Sequence, residues 1–255
     1  MIWLIGGTKD SRDFISFLKE KGVALNNFII SVATEYGKKL IEELQEDEKR
    51  INIVSKPMNC EEMLTFVECN KITKIWDFSH PYAIEVSKNA IDVAKLKRIE
   101  YIRYERENLE GRIEFEKSYE FYNIKDLVNF TGSLKENVLV TLGSNNISEF
   151  KGLGNLEKIY FRVLPVTISL KKLEDNGIKA KNIIGLQGPF SKEFNGAIYK
   201  NYGIKYMVTK ESGLTGGELE KLLAAKELGV IPIILKRPRI KYPKMVKNFT
   251  SFIEE

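Results

Sequence analysis

Histidine is nearly missing from this chain: His80 stands alone among 255 residues. Cysteine is scarce too, with only Cys60 and Cys69, in no metal-ligand or redox spacing. Zinc sites draw on clustered Cys and His, so no metal site is expected, and a lone histidine gives a Ser-His-Asp triad a single candidate base. The nucleophile elbow Gly-x-Ser-x-Gly is absent, as are the dinucleotide fingerprint G-x-G-x-x-G and the phosphate loop G-x-x-x-x-G-K-[ST]. No apolar run approaches the roughly 18 residues of a membrane-spanning helix. Met1 to Phe14 carries neither a basic leader nor the roughly 7–15-residue apolar stretch of a secretion signal. With two cysteines read as reduced and inert, a cytoplasmic chain is expected.

What is present is globular. Hydrophobic residues make up 43% and charged residues 29%, enough to build a core and too apolar for disorder. The formal charge is +5, yet Lys and Arg are interleaved with acids throughout. That pattern does not point to nucleic acid; it suits a polyanionic small molecule.

Short apolar runs alternate with amphipathic stretches. Strands are expected at Met1–Ile5, Phe28–Ala33, Arg50–Val54, Lys74–Phe78 and Glu100–Tyr104, with helices at Ser11–Lys21, Thr34–Gln45, Asn59–Glu68 and Tyr82–Leu96 between them. Glu105–Tyr119 is charge-rich and poorly periodic, and reads as an inter-domain crossing. Alternation resumes with strands at Asn137–Leu142, Lys158–Val163, Asn182–Leu186, Tyr206–Thr209 and Ile231–Leu235. Helices are expected at Ile124–Gly132, Thr167–Asn176, Lys192–Tyr202, Gly216–Leu228 and, last, Pro243–Ile253. Strands separated by helices imply parallel sheets. The expected architecture is α/β: two doubly wound, Rossmann-like domains, 1–112 and 113–255, facing a cleft, with the last helix able to pack back on the first domain.

Ligands of such folds sit beyond the carboxyl ends of the strands, and the chemistry-bearing residues fall there. Gly6-Gly7-Thr8 follows the first strand, a turn that lets the backbone approach phosphate or merely tightens the chain. Asp77-Phe78-Ser79-His80-Pro81-Tyr82-Ala83 follows the fourth, with Pro81 placed as a first helical residue. Arg103-Tyr104-Glu105-Arg106 ends the fifth, offering two guanidiniums to carboxylates or phosphates. In the second half, Leu142-Gly143-Ser144-Asn145, Gln187-Gly188-Pro189-Phe190-Ser191 and Lys236-Arg237-Pro238 take equivalent places. Richest is Thr209-Lys210-Glu211-Ser212-Gly213, followed by Gly216-Gly217 at a helix start, which resembles phosphate-binding design without being a phosphate loop.

Read in order, Gly6–Thr8, Asp77–Ala83, Tyr101–Arg106, Val140–Asn146, Phe161–Pro165, Gly185–Asn195, Val208–Gly213 and Leu235–Pro238 form a series that resembles the precorrin-6A (precorrin-6x) reductases of cobalamin biosynthesis. The likeness runs from about Ile2 to Pro238. Asp10 departs from it, standing where the family carries Glu, and Phe78 and Ser79 replace a small residue and Thr. The resemblance implies an NAD(P)H-dependent oxidoreductase acting on a CH–CH group. NADPH or NADH would lie in the cleft and pass hydride to a ring double bond of (cobalt-)precorrin-6A, giving (cobalt-)precorrin-6B.

On that basis Gly6, Gly7, Thr8, Gly143, Ser144, Lys210, Ser212 and Gly213 are expected to bind the cofactor. Ser79, Arg103, Arg106 and Arg237 are expected to meet the carboxylate-bearing tetrapyrrole, and His80, Tyr82, Lys210 or water to supply the proton. His80 has the reference pKa nearest neutrality. The expected partner is this tetrapyrrole alone, with neither nucleic acid nor membrane, in a monomer or weak homo-oligomer. The alternatives are another nicotinamide-dependent reductase and a two-domain anion-binding protein without catalysis.

Overall fold

Ile2-Trp3-Leu4-Ile5 is apolar at every position and becomes strand β1 (Ile2–Ile5), covered on both faces as a parallel strand must be. The structure, a computed structural model, describes residues 1–44, 51–106, 112–213 and 217–253. Gln45 and Arg50, at the ends of an expected helix and strand, Gly216 and part of the expected crossing lie outside the described residues. Two compact units are found: 1–106 with 238–255, and 107–237. The sequence-based division at 112/113 thus differs in its boundary, while the C-terminal segment, allowed for as packing back on the first domain, is grouped with the first unit.

In the first unit β1 is followed by α1 (Lys9–Glu20), β2 (Phe28–Val32), α2 (Glu35–Glu42), β3 (Asn52–Ser55), α3 (Cys60–Cys69), β4 (Lys74–Asp77), α4 (Ile84–Lys97) and β5 (Glu100–Tyr104). The second unit carries β6 (Tyr119–Phe121), α5 (Ile124–Gly132), β7 (Asn137–Val140), β8 (Ile159–Val163), α6 (Thr167–Asp175), β9 (Ile183–Gly185), α7 (Lys192–Asn201), β10 (Ile204–Lys210), α8 (Glu218–Glu227) and β11 (Ile231–Leu235). A two-residue strand, β12 (Met245–Val246), returns to the first.

Among the described residues these form two six-stranded sheets, β12-β5-β4-β1-β2-β3 and β6-β11-β10-β7-β8-β9. Every pairing is parallel. Each sheet takes its sixth strand out of turn: β6 follows β5 in sequence yet lies beside β11, and β12 follows β11 yet lies beside β5.

The last helix expected at Pro243–Ile253 does not form. Apolar residues at 245, 246, 249, 252 and 253 imitate helical spacing, but Arg103 N donates to Lys244 O and Glu105 N to Val246 O, each at 2.9 Å. Asn248 Oδ1 then accepts from Ser251 N at 2.9 Å and turns the chain. Strand β6 lay inside the end of the expected crossing and just beyond it. Three residues at a sheet edge carry too little alternation to register.

The sheet of the first unit separates two cores. Leu4, Phe14, Leu18, Trp76, Phe78 and Phe252 pack on one side, and Trp3, Ile29, Met63, Ile75, Ala90 and Tyr101 on the other. Leu139, Met207, Tyr199, Leu222 and Ala225 form a cluster in the second unit. No helix of the described residues is long and apolar enough to cross a membrane.

Candidate active site

The strand order of the first sheet reverses between β1 and β4, and there the loops leaving the two strands diverge and open a crevice. A cavity of about 670 Å³ lies at this point, within the first unit. Its apolar walls include Trp3, Ile5, Met58, Met63 and Val86, and its polar rim includes Thr34, Lys56, Ser79, His80, Tyr82 and Asn89.

Gly6-Gly7-Thr8 forms the floor. Gly6 N donates to Ser31 O at 2.8 Å, carrying the β1–β2 pairing one step past the strand. Gly7 adopts φ +98°, which side-chain-bearing residues rarely reach, and the space around it is open. Thr8 caps α1: its Oγ1 accepts from Ser11 N at 3.1 Å and donates to Phe78 O at 2.8 Å. The hydroxyl of Thr8 therefore ties the first loop to the fourth, and what this turn offers a ligand is backbone and the N-terminus of a twelve-residue helix.

The opposite wall is the turn after β4. Phe78 N donates to Ile5 O at 2.9 Å, and Ala83 N to His80 O at 2.7 Å. Pro81 lies in this turn rather than at the first helical position, since α4 begins at Ile84. Tyr82 N donates to His80 Nδ1 at 3.3 Å, which leaves the proton of the neutral imidazole on Nε2. The His80 and Tyr82 rings lie 5.7 Å apart.

Beneath the turn sits a buried ionic network. Asp77, fully buried, accepts from Ser79 N at 2.8 Å and Arg103 Nη1 at 3.0 Å through Oδ1. Its Oδ2 accepts from Ser87 Oγ and Tyr101 Oη, both at 2.6 Å. Burial works to raise the Asp77 pKa; the Arg103 guanidinium and the hydroxyl donors outweigh it and hold the carboxyl below its usual value. Burial opposes the charge on Arg103, and Asp77 and Glu105 overcome that and push its pKa up.

Two of the expected substrate-binding cations are corrected by this geometry. Arg103 is 1% exposed and donates to Asp77, Ser79 and Glu105, so it is a buried structural cation with no face toward a ligand. Arg106 pairs with Asp10 at 2.7 Å, both side chains nearly sealed. The Ser79 hydroxyl is likewise engaged, by Arg103 and by Ser87.

The remaining expected residues belong to the second unit, at the matching reversal between β7 and β10. Gly143 adopts φ +76° with open space beside it, and Ser144 Oγ lies 3.1 Å from Ser169 Oγ. Lys210 is half-buried, and burial lowers its pKa. Ser212 is buried, and Gly213 N donates to Glu218 Oε2 at 2.6 Å. Glu211, beside Lys210 in sequence, is buried and holds Lys236 at 2.9 Å and the backbone N of Arg237 at 3.0 Å. Arg237 Nε donates to Glu211 O at 3.0 Å.

Sequence reasoning missed Thr34, Lys56 and Asn89 on the cavity rim and Lys221 in the second unit. Lys221 is buried, bonded to Thr209 Oγ1 at 2.7 Å, and its pKa falls to about 8, chiefly through burial. None sits in a motif; only the strand-end rule could have drawn attention to Thr34 and Lys56.

Comparison with known proteins gives a consistent picture. The sequence model of the family described as Precorrin-6x reductase CbiJ/CobK matches residues 1–255. A cobalt-precorrin-6A reductase of Priestia megaterium is 34% identical over 99% of this chain and 96% of its own. One of Methanocaldococcus jannaschii is 32% identical over 98% and 96%. A solved structure, CobK precorrin-6A reductase, superposes with a TM-score of 0.77 over 99% of this chain and 94% of its own, at 15% identity.

Proposed function

This chain belongs to the precorrin-6x reductase family, and from that premise we propose that it reduces a ring double bond of cobalt-precorrin-6A, giving cobalt-precorrin-6B, with a reduced nicotinamide coenzyme held in the first-unit cavity. The observation that carries the site is the open glycine turn at Gly7, beside the α1 N-terminus, at the point where the strand order reverses. Backbone N–H groups at such a helix start suit a pyrophosphate. The cavity volume and apolar walls suit the flat rings of a dinucleotide.

On this reading Gly6, Gly7 and Thr8 hold the pyrophosphate, and Thr34 and Lys56 face the ribose on the β2–β3 side. His80 and Tyr82 line the β4 side, where the reactive ring would lie. When bound, the coenzyme supplies the hydride. The protein's own part is to orient the ring, exclude water and provide a proton for the second carbon of the reduced bond. As an imidazolium, His80 would supply that proton and be left as the neutral ring, with Tyr82 beside it. The second unit, taken by itself, gathers Gly143, Ser144, Lys210, Ser212, Gly213 and Arg237 at its strand ends, a set whose chemistry suits an anion such as a phosphate or a carboxylate. The relatives named above support a cobalt-bearing substrate.

The test is an anaerobic spectral assay of the purified protein with cobalt-precorrin-6A and NADPH or NADH. Oxidation of one coenzyme coupled to a change in the corrin spectrum is expected, faster than with cobalt-free precorrin-6A. Oxidation of neither would overturn the assignment.

A further inference from the structure

The buried network under the His80 turn holds more polar groups than packing requires. Asp77 is saturated by four donors that reach it from three places: Ser79 N in the turn itself, Tyr101 and Arg103 on β5, and Ser87 on α4. Arg103 Nη1 also donates to Ser79 Oγ at 3.0 Å, so the pair grips residue 79 by both backbone and side chain. Ser79 immediately precedes His80, and Ser87 follows it by seven positions. The carboxylate thus clamps the chain on either side of His80. On its outer side the guanidinium lies 5.4 Å from the Tyr242 ring, and Arg103 N donates to Lys244 O, so the returning C-terminal segment covers the pair.

A buried ion pair is a poor source of stability, because desolvating two charges offsets their attraction and apolar residues of like volume often serve as well. What an ion pair with saturated hydrogen bonds does provide is a single geometry. We infer that Asp77 and Arg103 are positioning residues for the reduction: their pair fixes the 78–83 turn and, through it, the place of the His80 imidazole on the cavity wall. The inference rests on the reading that this cavity receives the coenzyme. It assigns neither residue a contact with coenzyme or substrate; both act through Ser79.

Four substitutions test it. Arg103→Lys keeps a charge but loses the fork that reaches Asp77 and Ser79 together. Ser87→Ala and Tyr101→Phe each remove one donor to Asp77 and leave the cavity lining intact. Ala33→Trp fills the β2 end of the cavity. His80 is the single histidine, so its ring protons form a unique NMR probe in the coenzyme-free protein. The expected result, at a temperature well below each variant's Tm, is a roughly ten- to hundredfold loss of kcat in Arg103→Lys with coenzyme Kd changed less than about threefold. Ser87→Ala and Tyr101→Phe should lose kcat in the same direction, and in all three the His80 resonances and their pH midpoint should move.

A lower Tm with parental kcat and an unmoved His80 signal would make the network a matter of stability alone and overturn the inference. Should Arg103→Lys fail to fold, Ser87→Ala and Tyr101→Phe decide by the same readouts. Ala33→Trp separates the two claims. Weakened coenzyme binding there, beside parental kcat in the network variants, leaves the cavity reading standing and removes the positioning role. Parental coenzyme binding in Ala33→Trp removes the cavity reading and the inference with it.

Discussion

Thr8 and Phe78 lie 70 residues apart in sequence and are joined by one hydrogen bond, Thr8 Oγ1 to Phe78 O, at 2.8 Å. The same oxygen caps α1 by accepting from Ser11 N. One hydroxyl therefore closes a helix and fastens the first strand-end loop to the fourth. Thr8→Val keeps the shape and loses both bonds, leaving a buried carbonyl and a helix N–H unpaired. We expect about 1–3 kcal/mol of lost stability, together with weaker coenzyme binding. Chemical denaturation and coenzyme fluorescence check the two effects, and a variant with parental stability would show the bridge to be idle.

Gly7→Val should fold less well and bind coenzyme poorly. At φ +98° a β-branched residue is strained even though the space is open, and relief of that strain would move the turn. Coenzyme titration is the measure. Parental Kd in the folded variant would take this turn out of the binding site.

Arg103→Ala separates the sequence-based expectation from the structure. A cation that gripped ring carboxylates would, on removal, raise the substrate KM and flatten its salt dependence. A buried cation paired with Asp77 would, on removal, strand a buried carboxylate and cost about 3–5 kcal/mol. We expect the loss of stability, with the salt dependence of substrate binding unchanged. The double variant Asp77→Asn/Arg103→Met should recover part of that loss, giving a coupling energy in a double-mutant cycle.

The alternation of strands and helices was legible because parallel strands such as Ile2–Ile5 and Ile231–Leu235 are continuous apolar runs set between amphipathic stretches. The glycine turn and the Asp77–Ala83 segment were legible because the strand-end rule needs no tertiary information. Whether Arg103 faced a ligand or the interior was not legible. Sequence places it two residues from Glu105, but the carboxylate that buries it, Asp77, is 26 residues away on a neighbouring strand. The exchanged edge strands β6 and β12 escaped for a related reason. At three and two residues, they are strands only because another strand's backbone pairs with them.

Lys221 gives a pH signature for the second unit. Its pKa falls to about 8, burial being the main cause and Arg162 adding repulsion, against the attraction of Glu218 and Glu220. An unfolded lysine titrates near 10.4. Between about 8 and 10.4 the unfolded chain holds a proton the folded chain has released, so unfolding free energy rises with pH in that window. Lys221→Met should flatten this rise. Urea denaturation across the window checks it, and an unchanged slope in the variant would assign the rise to other groups.

Lys210 carries the last expectation. It ends β10 beside the β7 loop that holds Gly143 and Ser144, and burial lowers its pKa. A half-buried ammonium at a strand end, beside glycines, is placed to meet an incoming anion. If it does so, Lys210→Met loses a charge-assisted bond of about 1.5–3 kcal/mol, roughly 10- to 150-fold in kcat/KM. A lysine serving only the local fold would on replacement shift Tm and leave kcat/KM near parental. We therefore expect Lys210→Met to fold normally and to lose at least about tenfold in kcat/KM. Coenzyme Kd then identifies the anion: if it carries the loss, Lys210 holds a phosphate, and if it is parental, Lys210 serves a carboxylate of the macrocycle. Parental kcat/KM would remove Lys210 from the site.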